Sequence, residues 1–364
     1  QKVTASVSRY GDLVSDLMLE SVLDASGNIR TETPAYWVNS IGFAVIENIQ
    51  IEIGETDMDT LYPEWMFFWE MTTHPGARLR EQIGKFKFSP DDEEDMIEFS
   101  SQPRTLYAPL PFWFNKYLME HGLSIPLIAL SYHEIKVRVT FRAPTHGVYY
   151  ESADGKLPLN SATGSTLATS DLYARLLVSY VYLEKEEREA FSAVEHEYLI
   201  TAIERQEHNV TSTSSASDQV KNFFNHPTNC LAWMVRPSDW KTNRRRYSVG
   251  HKDAFDFSLK KQSDVSVWGD VTDAVKSASL TLNGHHRWPS NMPGLFFRQV
   301  QPALKWTNVP DGYMYTFSFS SKGGAWQPTS TLNLSRIDHV QLELKYGPDM
   351  PFSDVLVFGE SYNL

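Results

Sequence analysis

Residues 110–142 read LPFWFNKYLMEHGLSIPLIALSYHEIKVRVTFR, and the succession of patterns inside them sets the fold class. An aromatic-proline run (Leu110, Pro111, Phe112, Trp113, Phe114) passes through a polar loop into an apolar run from Ile125 to Leu130. Strict alternation follows, with Ile135, Val137, Val139 and Phe141 on one face and Lys136, Arg138 and Thr140 on the other. A period of two puts successive side chains on opposite faces of a strand. One buried and one wet face is the habit of antiparallel sheets that pack in pairs.

The signal recurs on both sides of this stretch. Ile49, Ile51 and Ile53 alternate with polar residues until Gly54 breaks the run. Tyr313, Tyr315, Phe317 and Phe319 alternate, as do Val340, Leu342, Leu344 and Tyr346. Leu280 and Leu282 precede Asn283-Gly284, a strong hairpin dipeptide. Leu172 to Leu183 is apolar and aromatic with few breaks, which predicts a central strand. Short strands punctuated by Pro, Gly and Asn predict an all-β sandwich or barrel.

One helix stands out, from Glu184 to about Tyr198. Phe191, Val194 and Tyr198 fall at helical spacing, and Glu184, Glu186 and Glu187 suit the positive N-terminal end. It reads as the link between two strand-rich domains, 1–184 and 185–364, and it opens the second. The halves also repeat an order. Asn48 to Gly54 followed by Trp65, Phe67 and Phe68 parallels Ser279 to Gly284 followed by Trp288, Phe296 and Phe297. Leu130-Ser131 leads into the strand at Ile135 as Leu334-Ser335 leads into that at Val340, the mark of a duplicated fold.

With 364 residues the chain can bury two cores. Its net charge of -12 is the reverse of what displaces counterions from a phosphate backbone, so no direct nucleic-acid contact is expected. The cluster Arg244, Arg245 and Arg246, with Lys241 before it, reads as a solvated or subunit-contacting loop. The run Asp91 to Asp95 reads as an exposed loop or helix start, without calcium-loop spacing. A single cysteine, Cys230, leaves no internal disulfide and suits a reducing compartment. No apolar run approaches the ~20 residues that cross a bilayer, and the polar Gln1 to Ser8 is unlike a signal peptide. The expectation is a soluble protein.

No catalytic, cofactor or metal site is predicted. His133-Glu134 and His196-Glu197 are sequence neighbours, which strands direct to opposite faces. His285-His286 sits in a turn beside Trp288. No His-x-Glu-x-x-Cys, Gly-x-Ser-x-Gly or glycine-rich phosphate loop occurs. Trp65, Trp69 and Trp113 are assigned to cores or subunit contacts. Two glycosylation sequons are present, Asn209-Val210-Thr211 and Asn333-Leu334-Ser335. Asn209, beside the polar loop Thr211 to Ser217, is the surface candidate; Asn333 precedes a strand.

Five segments in order resemble the major capsid proteins of nucleocytoplasmic large DNA viruses. They are Arg9-Tyr10-Gly11-Asp12-Leu13-Val14; Trp37 to Trp69; residues 110–142; Leu176 through the helix to His196-Glu197-Tyr198-Leu199-Ile200; and a last group in the second half. That group comprises Phe224-Asn225-His226-Pro227, Leu282 to His285, Val300-Gln301-Pro302 and Ser335-Arg336-Ile337-Asp338.

The resemblance implies two tandem eight-stranded antiparallel jelly rolls joined by a short helix, with the N-terminal strand of the first roll missing from the sequence given. It implies a structural protein of the virion, assembled in the host cytoplasm. Its partners would be two further copies in a pseudo-hexameric homotrimer, neighbouring capsomers, minor capsid proteins and a penton protein. An inner membrane would lie nearby, without an anchor from this chain, and no cofactor is implied. The other readings are a minor capsid protein of the same double fold and a glycan-binding jelly-roll module, which would need exposed aromatics clustered at one end.

Overall fold

The computed structural model describes the chain except residues 24–34, 75–79, 86–97, 118–121, 143–147, 151–172, 211–216, 222–223, 239–253, 256, 258–272, 311, 348–352 and 364. The first half supplies β1 (Lys2–Ser6), β2 (Leu13–Leu23), β3 (Ile46–Ile53), β4 (Thr56–Leu61), β5 (Arg104–Pro109), β6 (Ile135–Phe141) and β7 (Tyr173–Val181). The second supplies β8 (Ile200–Val210), β9 (Ser217–Lys221), β10 (Pro227–Pro237), β11 (Val275–Leu282), β12 (His285–His286), β13 (Tyr315–Ser318), β14 (Val340–Tyr346) and β15 (Ser353–Asn363). Three helices matter below: α1 (Pro63–Thr73), α2 (Lys185–Ala193) and α3 (Gln301–Lys305), which continues a π-helical turn, Phe296–Val300.

Each half is a sandwich of two antiparallel sheets with one topology. The order β1-β6-β3-β4 in the first half matches β9-β14-β11-β12 in the second, and β7-β2-β5 matches β15-β10-β13. The short strands agree too: Ile125–Pro126 pairs with β2, and Leu332–Asn333 pairs with β10. Even the hairpin turns correspond. Gly54 and Glu55 join β3 to β4 with φ of 57° and 69°, and Asn283 and Gly284 join β11 to β12 with φ of 47° and 83°. Two successive positive φ values make a turn whose twist matches the strands it connects. This is the double jelly roll that the resemblance implies. One position differs. β8 adds a strand beyond β15, whereas the equivalent edge of β7 has no partner among the described residues.

β6 realises the alternation of the opening stretch. Ile135, Val137, Val139 and Phe141 are buried, and Lys136, Arg138 and Thr140 lie at the surface. β14 shows the same pattern. Other readings need correction. Leu172 to Leu183 yields β7, which among the described residues is an edge strand instead of a central one. Ala174, Leu176, Val178 and Tyr180 pack on the core, while Tyr173 and Leu177 on the other face are 57% and 39% exposed. The helix spans only Lys185–Ala193, because Glu184 and Glu187 form a capping box at one end and Val194 turns extended at the other. Val194 is exposed, and Tyr198 lies beyond the helix on the approach to β8. Tyr313 occupies a turn at φ 58°, so the aromatic strand shortens to Tyr315–Ser318, buried on both faces. Arg244 to Arg246, Asp91 to Asp95 and the loop 211–216 fall outside the described residues.

Candidate functional site: the junction between the halves

The sequence Pro63-Glu64-Trp65-Met66-Phe67-Phe68-Trp69 builds α1. Proline suits the first helical position, where its missing N–H costs nothing, and Glu64 complements the helix dipole. The helix is apolar nearly all round, so it must be enclosed. It is. Every residue from Pro63 to Thr72 is buried. What encloses it on one side is the second half. Tyr62 and Trp65 pack on Phe358 of β15, with ring centroids 6.0 and 6.1 Å apart. Phe68 and Trp69 pack edge-on against Trp306 at 5.4 and 5.8 Å.

The sheet beneath is consequently core-like on both faces. Leu231, Trp233, Val235, Val355 and Val357 point into the second sandwich. Cys230, Ala232, Met234, Leu356 and Phe358, on the opposite face, join the hydrophobic core of the first half.

Charged groups are sealed into this apolar junction. The Glu64 carboxylate accepts hydrogen bonds from Arg142 of its own half at 3.0 Å and from Arg236 of β10 at 2.9 Å. Burial alone would push that carboxyl up, but Arg142, Arg236 and Arg205 outweigh it and hold it at about 2. Lys116 pairs with Glu360 of β15, donates to Thr201 Oγ1 at 3.1 Å and lies 4.3 Å from the Trp69 ring centroid. Glu360 also accepts from Asn229 Nδ2 at 2.8 Å. Burial pulls the Lys116 ammonium down. Asp59 of β4 accepts the backbone N–H of Ile203 on β8 at 2.8 Å, and desolvation raises its carboxyl to about 7. Three side chains of the first half, Glu64, Lys116 and Asp59, thus meet groups of the second.

A second tie runs through the Arg9–Asp12 segment. The Arg9 guanidinium donates to the carbonyls of Leu127, Leu130 and His133, clamping the turn before β6. Asp12 accepts the Leu183 N–H and a guanidinium bond from Arg188, both at 2.8 Å. The Leu183 bond, above Arg188, holds its carboxyl below the ordinary value. Gly11 between them is required: a Cβ there would stand 2.6 Å from Tyr180 Cβ. A cleft of about 640 Å³ separates the clamped turn from the linker after α2, floored by Trp113, Met58 and Ile200.

His133-Glu134 lies in the turn before β6, and His196-Glu197 in the coil after α2; neither is in a strand. His196 Nε2 lies 2.6 Å from the Phe191 carbonyl, and its ring stacks on Phe191. His286 Nδ1 sits 3.0 Å from Ser279 Oγ in the β11–β12 hairpin. Among the described residues no cluster of three metal-ligating side chains occurs, and no helix is long and apolar enough to cross a membrane. Trp65, Trp69 and Trp113 are buried. Asn209 is exposed on the edge strand β8. Asn333 ends a two-residue strand and caps the following turn, its Oδ1 accepting the Ser335 N–H.

Lys116, Glu360, Glu64 and Arg236 were not singled out from sequence. The available signal was a charge stranded in an apolar run: Lys116 after Phe114-Asn115, and Glu360 after Val355 to Phe358.

A tandem jelly roll joined through a buried, ion-paired junction is the class that the fold and the junction define. Comparison with known proteins sharpens that class. The family model described as "Major capsid protein N-terminus" matches residues 1–184, and that of "Large eukaryotic DNA virus major capsid protein" matches residues 187–363. The chain belongs to the major capsid protein family of large eukaryotic DNA viruses. It is 29% identical to the major capsid protein of Pyramimonas orientalis virus, over all of this chain and 83% of that protein. It is 28% identical to that of Paramecium bursaria Chlorella virus 1, over 95% of this chain and 75% of the relative. The crystal structure of PBCV-1 VP54 superposes with a TM-score of 0.77 at 23% identity, covering 100% of this chain and 89% of that one. The Faustovirus major capsid protein follows at 0.74 and 11%, covering 100% and 87%. At such identities the structures speak for the fold alone.

Proposed function

We propose that three copies of this chain form a pseudo-hexameric capsomer, the tile of an icosahedral virion shell, and that its work is geometric with no bond chemistry. The observation that carries the reading is the junction. Two sandwiches locked by Glu64, Lys116 and Asp59 make one rigid block presenting two similar sets of flanks, which is what a six-sided outline from three chains needs. The domains divide at 1–184 and 185–364, and an upstream strand would complete the open edge of β7 as β8 completes β15. Capsomers would meet one another, minor capsid proteins and a penton protein, above an inner membrane the chain does not enter and away from the DNA, in shells assembled in the host cytoplasm. Asn209, exposed on β8, is the position a glycan would occupy.

Mass in solution tests the reading. Sedimentation equilibrium at micromolar concentration should return three times the 41.6 kDa chain mass. A persistent monomer would sink it.

A further inference from the structure

Lys116 and Glu360 are in direct contact out of reach of solvent, their side chains 1% and 0% exposed. Glu360 is fixed by its backbone. It lies on β15 between β8 and β10, in register with Ile203 on one side and Cys230 on the other. Lys116 comes from the turn after the aromatic-proline run, which Asn115 anchors by donating to the Leu110 carbonyl at 2.9 Å. Aromatic rings wall the pair: Nζ is 4.3 Å from the Trp69 centroid and 5.5 Å from that of Tyr117. An ammonium and a carboxylate shut in such surroundings are costly to keep charged, because desolvation takes back much of what their attraction returns.

The same surroundings hold what amide formation needs. Burial pulls the Lys116 ammonium down to about 7, so the free amine, a nucleophile, is present at neutral pH. Glu360 Oε2 accepts from Asn229 Nδ2 at 2.8 Å and from the Cys230 thiol at 3.7 Å. These donors are placed to hold the charge that gathers on Oε2 when the carbonyl carbon is attacked. Asp59 is near enough to Lys116 for each charge to shift the other, and desolvation raises it to about 7, where it can both take and give a proton. Its bonds from the Ile203 and Thr60 N–H groups fall on Oδ1, which leaves Oδ2 for that work. Two groups held in contact by a rigid sheet react as if at very high concentration.

We propose that Lys116 and Glu360 condense into an amide, a side-chain cross-link between the two halves of one chain. Nζ passes one proton to Glu360 Oε1 and attacks the carbonyl carbon, forming the C–N bond. Asp59 takes a second proton from the nitrogen and returns it to the Oε1 hydroxyl. The C–O bond then breaks and one water leaves. Atoms and charge balance without an oxidant or cofactor, and two buried charges disappear. In newly folded chain the two groups are still the ion pair; closure follows folding, since they meet only when both sandwiches have formed. The bond lies within one chain, so it stands or falls independently of the capsomer reading.

Mass spectrometry tests it on wild type, held folded at neutral pH until its mass is constant and then unfolded in acid. The chain should be lighter than its sequence mass by one water. Protease digestion should release a branched peptide that joins Lys116 to Glu360. Lys116→Met should keep the water, as should Asp59→Asn, which retains an acceptor for the Ile203 N–H. Should Lys116→Met misfold, the wild-type digest decides alone. A wild type at full sequence mass overturns the cross-link. So does a water loss that persists in Lys116→Met, or one that the digest places in a linear peptide, the mark of an aspartyl succinimide. An Asp59→Asn chain that loses water as wild type does overturns the proton route.

Discussion

Replacing Glu64 by Gln removes one negative charge from the junction and leaves its shape almost unchanged. In the native chain that carboxyl is 2% exposed, is hydrogen-bonded by Arg142 and Arg236, and titrates at about 2 where an ordinary glutamate titrates at 4.5. At 1.36 kcal/mol per pKa unit, the ionised form is favoured by about 3 kcal/mol in the folded state relative to the unfolded. The folded pKa is depressed, so this stability is fully present above pH 4.5 and lost as pH falls from 4.5 toward 2. Glu64→Gln should therefore lower unfolding free energy at pH 7 by about 3 kcal/mol, within the range for breaking a buried ion pair. The deficit should shrink as pH drops below 4.5. Urea unfolding followed by tryptophan fluorescence at pH 7 and pH 3 reads both effects, since Trp65 and Trp69 lie in the same helix. A loss below about 1 kcal/mol at pH 7, or one that is the same at pH 3, would refute the claim that two guanidiniums outweigh desolvation there.

Asp59 runs the opposite way. Its carboxyl is raised from 3.8 to about 7, so wild type should lose stability as pH rises through that window, and Asp59→Asn, which keeps an acceptor for Ile203, should flatten the slope in urea midpoints at pH 5 and 8. Gly11→Ala, forced against Tyr180 Cβ, should cost about 1–3 kcal/mol, read as a lowered thermal midpoint. The Cys230 thiol, fully buried and pushed up to about 12, should resist a thiol reagent in the native chain and react stoichiometrically in urea. Lys116→Met alone strands the Glu360 carboxylate and should cost about 3–5 kcal/mol, whereas Lys116→Met with Glu360→Leu should recover most of it, both measured by urea unfolding.

Strands with one wet face were legible, because alternation survives whatever packs beneath them. Ile135 to Phe141 and Val340 to Tyr346 needed nothing beyond the period. β7 was misplaced in its sheet for a related reason. The composition of a run such as Tyr173 to Val181 does not show whether one neighbouring strand or two pair with it. The helix was overextended because Tyr198 continues the spacing past Val194, where the backbone has already turned extended. The junction was illegible except as stray charges. Glu64 and Arg236 lie 172 residues apart, and Lys116 and Glu360 join opposite halves, so their pairing exists only once both sandwiches have formed.

The junction also shows why a structural protein would bury charge at all. Well-packed apolar residues in place of Glu64, Arg142 and Arg236 could match their net contribution, because desolvation consumes most of what the ion pairs return. Apolar surfaces, however, tolerate sliding; large flat rings such as Trp65, Phe358 and Trp306 would accept several rotations of one sandwich over the other. A buried carboxylate does not, since leaving its guanidinium partners costs several kcal/mol. The ion pairs therefore select one angle between the halves from the many that greasy packing permits. In a tile, that angle is the functional quantity.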